Sequence, residues 1–175
     1  TLFIARIHNL NIRKTHLLPG KGVNYMQYVI AILILVTFSA YFSATETAFT
    51  SANRIRLKNM ANDGNKRARK ALELSENYDT LLSTILVGNN IVNIAASSIG
   101  TVLFLQLYPV YGATISTIVI TIVVLIFGEI SPKSIAKEKA ERFAMFSAPI
   151  LQIFLVVLRP VNWIFSCWKR FLSKL

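Results

Sequence analysis

The sequence contains few of the side chains that disulfides, soft-metal centres and redox sites require. Its 175 residues include one cysteine, Cys167, and two histidines, His8 and His16. One cysteine excludes a disulfide within the chain and any cysteine cluster for zinc or iron–sulfur chemistry. Both histidines precede the first long apolar stretch, and no set of nucleophile, base and orienting residue accompanies Cys167. We therefore expect no hydrolytic or redox enzyme.

Acidic residues are also scarce, and charge of either sign is missing from one long stretch. The chain has 8 acidic and 19 basic residues, a net charge of +11, and no charged residue in the 49 positions from Thr80 to Gly128. A helix that crosses a bilayer needs only about 20 predominantly apolar residues. With 54% hydrophobic and 15% charged residues overall, the composition predicts an all-α integral membrane protein.

Breaks in the apolar runs predict three transmembrane helices. A first uncharged stretch extends from Gly22 to Thr45. The longer run would be too long for one span, and Pro109 and Gly112 interrupt it. Within a transmembrane domain of residues 26–142, we place the spans at about 26–50, 80–107 and 112–132.

Basic residues indicate the orientation of these spans. Seven of them lie between Arg54 and Lys70, and four more directly follow the third predicted span. Because cytoplasmic loops carry such an excess of lysine and arginine, we expect both segments inside and the N-terminus outside. The polar arm of residues 1–25 is interpreted as either an upstream extension or a weakly ordered arm, and not as part of the core. No aromatic residues alternate with the basic clusters, so we expect no nucleic-acid partner.

The region from residue 143 to residue 175 allows two interpretations. Its apolar part, Phe143–Leu158, has sixteen residues and contains Pro149, which is short for a span. Trp163 and Trp168 follow beside basic residues, which is the composition of a helix at the headgroup boundary. We favour juxtamembrane, interfacial helices with a cytoplasmic C-terminus. The alternative is a fourth span with the C-terminus outside.

Polar side chains gather at matching depths of the three predicted spans. The groups are, span by span, Ser43, Glu46 and Thr47; Asn89, Asn90 and Asn93; and Glu129. Spacings of three and four residues place the members of each group near one helix face. Ionisable groups at membrane depth are costly to insert and mark functional sites, so Glu129 most needs an explanation.

Proline at position 132 adds oxygen ligands to this prediction. Pro132 lacks an amide hydrogen and disfavours helix at Ser131, so we expect a helix break that leaves the carbonyls of Gly128 and Glu129 free. Carbonyls, amides, hydroxyls and one carboxylate are hard ligands that suit Mg²⁺, Ca²⁺ or Na⁺. Antiparallel packing of the spans would bring these groups to one cavity open to the cytoplasm.

Each polar group also has a purely structural interpretation. Serine and threonine often bond to their own helix backbone, and asparagine can link helices. Glu46 can pair with Arg54, and Glu129 can pair with Lys133 one helical turn further on. Convergence of all three groups favours a cation site over these separate explanations.

Three segments resemble the signatures of the CorC/CNNM family, whose transmembrane domain is also called DUF21. They are residues 42–48 (FSATETA), 88–93 (GNNIVN) and 128–133 (GEISPK). The resemblance implies a homodimer of three-span protomers in the plasma (inner) membrane that exports Mg²⁺ or exchanges it for Na⁺. In full-length members, a cytosolic pair of CBS domains that binds ATP follows the membrane part. None follows here, so we expect the chain to be part of a longer protein.

The resemblance also implies roles for individual residues. The metal ligands would be Ser43, Asn89, Asn93 and Glu129, joined by Thr47 and Asn90. The helix break used for gating would involve Gly128 and Pro132, while Glu46 and Lys133 would adjust the local charge. A different hypothesis treats the domain as a membrane anchor and signal relay that regulates other Mg²⁺ transporters. The same residues would then only pack the helices.

Overall fold

The computed structural model describes residues 25–161 and residue 163, and every regular element in this part of the chain is helical. The predicted N-terminal arm, Cys167 and Trp168 lie outside the described residues. In chain order, the helices are α1 (Tyr25–Ser51), α2 (Arg54–Asn62), α3 (Lys66–Glu76), α4 (Tyr78–Leu107), α5 (Gly112–Val123), a π-helical segment π1 (Val124–Ile130), α6 (Ser131–Glu138) and α7 (Ala140–Val157).

Two capped helices occupy the basic segment that the sequence marks only as a cytoplasmic loop. The Asn53 side-chain oxygen accepts hydrogen bonds from the amides of Ile55 and Arg56 at 2.9 and 3.2 Å, which starts α2. Asn65 caps α3 in the same way. An asparagine at this position satisfies amides that have no partner within the helix. The caps explain why a polar, basic sequence is helical here.

The chain from Gly112 to Glu138 is one continuous helical path through α5, π1 and α6. The expected helix break at Pro132 is therefore wrong. Ser131 is helical, with φ −63° and ψ −46°, and its amide donates to the carbonyl of Ile126, five residues earlier. Pro132 is the second residue of α6, directly after this wider π turn, and local π adjustments are one way in which membrane helices accommodate a proline.

Two apolar clusters hold the helices together at opposite ends. One joins the C-terminal end of α1 to α2, α3, the start of α4, α6 and α7; its largest fully buried side chains are Phe42, Leu57, Leu81, Ile85 and Leu151. The other joins the N-terminal half of α1 to the end of α4, to α5 and to the first residue of π1, through Ile32, Val36, Leu103, Ile120 and Val124. Helices α1 and α4 are thus antiparallel neighbours.

Four helices are long and apolar enough to cross a membrane: α1, α4, the continuous helix Gly112–Glu138, and α7. The chain is therefore an all-α membrane protein. Helix α7 packs against the C-terminal half of α1. The Glu141 carboxylate lies 3.3 Å from the Asn53 amide, Tyr41 donates to the Ser147 carbonyl at 3.0 Å, and the ring centroids of Phe42 and Phe154 are 4.9 Å apart.

Candidate cation site

A layer of polar side chains lies between the two apolar clusters. Ser39 from α1, Asn89 and Asn93 from α4 and Glu129 from π1 lie, in chain order, between the buried residues of one cluster and those of the other, and Ser43 lies one turn after Ser39, directly after Phe42 of the first cluster. The members of this layer, here called the polar layer, are Ser39, Ser43, Asn89, Asn93 and Glu129. The antiparallel packing of α1 and α4 brings distant parts of the sequence together, as the hydrogen bond between Ser39 and Asn89 shows.

Two side-chain hydrogen bonds connect α4 to the other two helices of the layer. The Asn93 amide nitrogen donates to Glu129 Oε1 at 3.2 Å. The Ser39 hydroxyl donates to Asn89 Oδ1 at 3.1 Å. Because a carboxylate only accepts, the Asn93 amide group must turn its nitrogen toward Glu129 and its oxygen elsewhere. The bond therefore fixes the direction of a second oxygen atom in the layer.

Two buried oxygen atoms of the layer have no hydrogen-bond partner among the described residues. They are Ser43 Oγ and Asn93 Oδ1. A buried polar atom left without a partner costs about 1–3 kcal/mol, and such atoms are uncommon enough in folded proteins to need an explanation. Both oxygens can act as ligands to a cation, and both belong to residues that the sequence predicts as metal ligands. The unpaired oxygens are the strongest geometric sign of a ligand here.

The π-helical segment determines where Glu129 lies. In π1 the backbone bonds run to the fifth preceding residue, so the side chains after it are displaced from the positions of an ordinary α-helix. Such segments occur frequently at functional sites. Glu129 lies within π1 and is half-buried, with no lysine or arginine nitrogen within 4.0 Å among the described residues. Its charge is thus not neutralised by a neighbouring base.

Glycines permit the close approach of the three helices. A Cβ atom at Gly128 would lie 2.8 Å from the hydroxyl oxygen of Ser39, and one at Gly88 would lie 2.5 Å from the Phe42 ring. Real Cβ atoms essentially never approach other atoms so closely. Gly128 therefore lets π1 contact α1 beside Ser39, and Gly88, the residue before Asn89, lets α4 pack against the Phe42 ring.

The remaining predicted residues are arranged around the layer rather than in it. Thr47 donates to the Ser43 carbonyl at 3.1 Å, which ties it to its own helix. Asn90 is exposed and lies off the face that carries Asn89 and Asn93. Glu46 pairs with Lys133, with 3.2 Å between Oε2 and Nζ. Neither of the two ion pairs that the sequence suggests, Glu46 with Arg54 and Glu129 with Lys133, is formed.

Ser39 is a member of the layer that the sequence-based site set omits. It is fully buried, bonds to Asn89 and faces Gly128. The signal was present, because Ser39 precedes Ser43 by four residues and therefore shares its helix face. The sequence does not reveal that Ser39 lies close to π1, because this contact depends on Gly128, which is 89 residues further along the chain.

The chemistry of the layer suits a hard cation. Within residues 25–161, no three histidine, cysteine, aspartate or glutamate side chains come together. A cation held at this level would therefore be bound by hydroxyl and amide oxygens together with one carboxylate. These are the ligands preferred by Mg²⁺, Ca²⁺ and Na⁺, whereas soft metals prefer sulfur and imidazole.

Comparison with known proteins identifies a family. The model of the cyclin M transmembrane N-terminal domain matches residues 30–175. A UPF0053 protein of Haemophilus influenzae is 42% identical over 146 residues, which cover 83% of this chain and 35% of that protein. The UPF0053 inner membrane protein YfjD of Escherichia coli is 40% identical over 137 residues, covering 78% of this chain and 32% of YfjD.

The chain therefore spans about a third of the length of these relatives. The family model covers most of the sequence, including all three segments on which the resemblance rests. The helices that carry these segments, α1, α4 and the continuous helix Gly112–Glu138, are all of membrane-spanning length. The chain is a multi-pass membrane protein and belongs to the CorC/CNNM family.

Proposed function

We propose that this domain carries Mg²⁺ across the plasma membrane and that the ion binds in the polar layer. One observation supports this above the others. The Asn93–Glu129 hydrogen bond places a carboxylate that has no basic partner among the described residues beside a buried oxygen, Asn93 Oδ1, that also lacks a partner. A divalent cation bound there would satisfy both groups, and Ser43 Oγ on α1 is a further buried oxygen without a partner.

The ligand set matches the demands of Mg²⁺. This ion takes six oxygen ligands at about 2.0–2.1 Å and usually keeps several of its waters. The Glu129 carboxylate supplies the only formal negative charge of the layer, while Asn93 Oδ1, Ser43 Oγ and Asn89 supply neutral oxygens. A site with one carboxylate leaves net positive charge on the bound ion. We infer that the ion is held weakly enough to leave again, as a transporter requires.

The proposed topology has three spans with the N-terminus outside. Helices α2 and α3, with their seven basic residues, lie on the cytoplasmic side. Helix α7 is proposed as a juxtamembrane helix that enters only part of the bilayer. Its contacts with α1 support this, since they extend from Asn53 to Phe38, near the middle of α1. The ion then reaches the polar layer from the cytoplasm.

The whole protein's behaviour is proposed from the family. We expect a homodimer that exports Mg²⁺, coupled to Na⁺ entry, with an ATP-binding CBS pair in the cytosolic part that lies outside this sequence. Movement of the continuous helix at π1, between Gly128 and Pro132, is proposed to alternate access to the layer. A π segment is suited to this because its extra residue can move along the helix.

The test compares variants of the layer with a matched variant outside it. Glu129→Gln keeps the size of the side chain and removes its charge, while Asn93→Leu removes the oxygen that lacks a partner. Ser98→Ala is the control, because Ser98 is exposed on the same helix and bonds only to the Ile94 carbonyl. Each protein is reconstituted in liposomes, and Mg²⁺ flux is followed with a fluorescent indicator.

We expect Glu129→Gln and Asn93→Leu to lose flux and Mg²⁺-dependent thermal stabilisation, with Ser98→Ala unchanged. If the Glu129→Gln and Asn93→Leu variants both keep the Mg²⁺ flux of the wild type, the proposed site is refuted. Binding without flux in the wild-type domain would instead favour the anchor and signal relay, in which Mg²⁺ acts as a signal and is not moved.

A further inference from the structure

Lys133 is the basic residue nearest to Glu129 along the chain. It follows Glu129 by four residues on the same continuous helix, so its ammonium group can reach toward either Glu129 or α1. In the structure it reaches α1: Lys133 Nζ lies 3.2 Å from Glu46 Oε2. Glu129 bonds to the Asn93 amide instead.

A lysine that turned toward Glu129 would oppose cation binding in two ways. It would neutralise the only formal charge of the layer, and it would repel the incoming ion directly. At the effective dielectric constant of partly buried sites, repulsion between an ammonium group and a divalent ion several ångströms away changes a binding constant by about tenfold or more. A site with one carboxylate therefore depends on where this lysine is held.

We propose that Glu46 is a positioning residue that holds Lys133 away from the polar layer and so keeps the charge of Glu129 available to the cation. The inference rests on the proposed function, because it describes how the same site is kept competent. Glu46 lies three residues after Ser43 on α1, one turn from the layer, and the Glu46 and Lys133 side chains are 27% and 42% exposed. Partial exposure leaves the pair next to water, where it can form without burying two charges.

The pair also admits a structural role, since it links α1 to α6. The two roles make opposite predictions for Lys133. If the pair only links helices, removing either partner should weaken Mg²⁺ binding and stability alike. If Glu46 restrains Lys133, removing the lysine removes the group that needs restraint, and Mg²⁺ binding should not weaken.

The experiment measures Mg²⁺ affinity of the purified chain in nanodiscs by titration calorimetry, for wild type, Glu46→Gln, Lys133→Gln and the double variant. Thermal unfolding without Mg²⁺ is recorded for each as a measure of folding. We expect Glu46→Gln to weaken binding by about tenfold. We expect Lys133→Gln to bind at least as tightly as wild type, and the double variant to return to within about twofold of wild type.

Two results would overturn the inference. One is a double variant as weak as Glu46→Gln, because the Glu46 charge would then act on the ion itself. The other is a loss of affinity in Lys133→Gln equal to that in Glu46→Gln, which would leave only the structural link. If Glu46→Gln does not fold, Lys133→Gln still decides between the roles. If the wild-type chain does not bind Mg²⁺, both the proposed function and this inference are refuted. If the wild-type chain binds Mg²⁺ but the variants give either of these two results, only the inference is refuted.

Discussion

The proposed role of Ser43 predicts that Ser43→Ala has two opposite effects. The substitution should stabilise the Mg²⁺-free protein and weaken Mg²⁺ binding. The Ser43 side chain is fully buried and its hydroxyl has no partner among the described residues. Removing a buried hydroxyl that lacks a partner removes a desolvation penalty of about 1–3 kcal/mol and little packing. In Mg²⁺-free buffer, we expect Ser43→Ala to be about 1 kcal/mol more stable, a rise in Tm of about 2–4 °C.

With Mg²⁺ the sign should reverse. A ligand present at 100 times its Kd stabilises a folded protein by about 2.7 kcal/mol, and at ten times its Kd by about 1.4 kcal/mol. Loss of one neutral oxygen ligand that weakens binding tenfold therefore removes about half of the Mg²⁺-dependent stabilisation. The assay is thermal unfolding of the detergent-solubilised domain across a Mg²⁺ titration, and the variant's curve should cross that of wild type.

Ser116→Ala is the matched control for this prediction. Ser116 is also fully buried, its hydroxyl also lacks a partner, and it lies on α5 beside Gly100, outside the polar layer. We expect Ser116→Ala to raise the stability in Mg²⁺-free buffer by a similar amount and to leave the stabilisation by Mg²⁺ unchanged. If Ser43→Ala is destabilised without Mg²⁺, the hydroxyl has a partner that the structure does not reveal. If both variants lose the Mg²⁺ response, the effect is not specific to the layer.

Three further substitutions test the helix contacts around the site. Gly88→Ala should destabilise the folded domain by about 1–3 kcal/mol, because the new Cβ would lie 2.5 Å from the Phe42 ring. A second substitution, Phe42→Leu, should recover part of that loss, as measured by thermal unfolding. Tyr41→Phe removes the bond to the Ser147 carbonyl and should cost about 1 kcal/mol, with Mg²⁺ affinity unchanged; a loss of affinity would show that α7 influences the layer. Pro132→Ala supplies a new amide hydrogen that favours ordinary α-helical bonding over the π turn. We therefore expect Mg²⁺ flux to fall while thermal stability rises. Unchanged flux would contradict a role for π1 in transport.

Helical periodicity predicted much of the polar layer because its signal is local. Asn89 and Asn93 share a face at a spacing of four residues, and the charge-free run marks Glu129 as exceptional. The structure places Asn93 and Glu129 in contact. Antiparallel order alone sufficed for this, since it sets which depth of one helix meets which depth of the next.

The contacts that the sequence misses depend on how two helices meet. Glu46 had several basic residues within reach by sequence, and its partner is Lys133 because α1 packs against α6. Arg54 instead donates to the Ser75 carbonyl at 2.7 Å and lies over the Tyr78 ring. Ion pairing among so many basic residues is decided by tertiary packing, which no local pattern encodes.

The error at Pro132 has a physical cause. The rule that a proline ends a helix assumes that the preceding residues keep the α-helical hydrogen-bond register. Here the hydrogen-bond register changes to π before the proline, and the helix continues through it. Membrane helices favour this solution because a true break would expose carbonyls to lipid, whereas a shift of register leaves the path continuous.

The π segment also links the two unusual features of this chain, the proline and the carboxylate. The π segment ends just before Pro132, and Glu129, three residues before the proline, lies within it and accepts a hydrogen bond from Asn93 on α4. Gly128 then allows the widened turn to contact Ser39 without a clash. Gly128, Glu129 and Pro132 thus lie within or next to one π-helical segment. A mutation that relaxed π1 to an α-helix would move Glu129 away from Asn93, even with every polar residue of the layer still present.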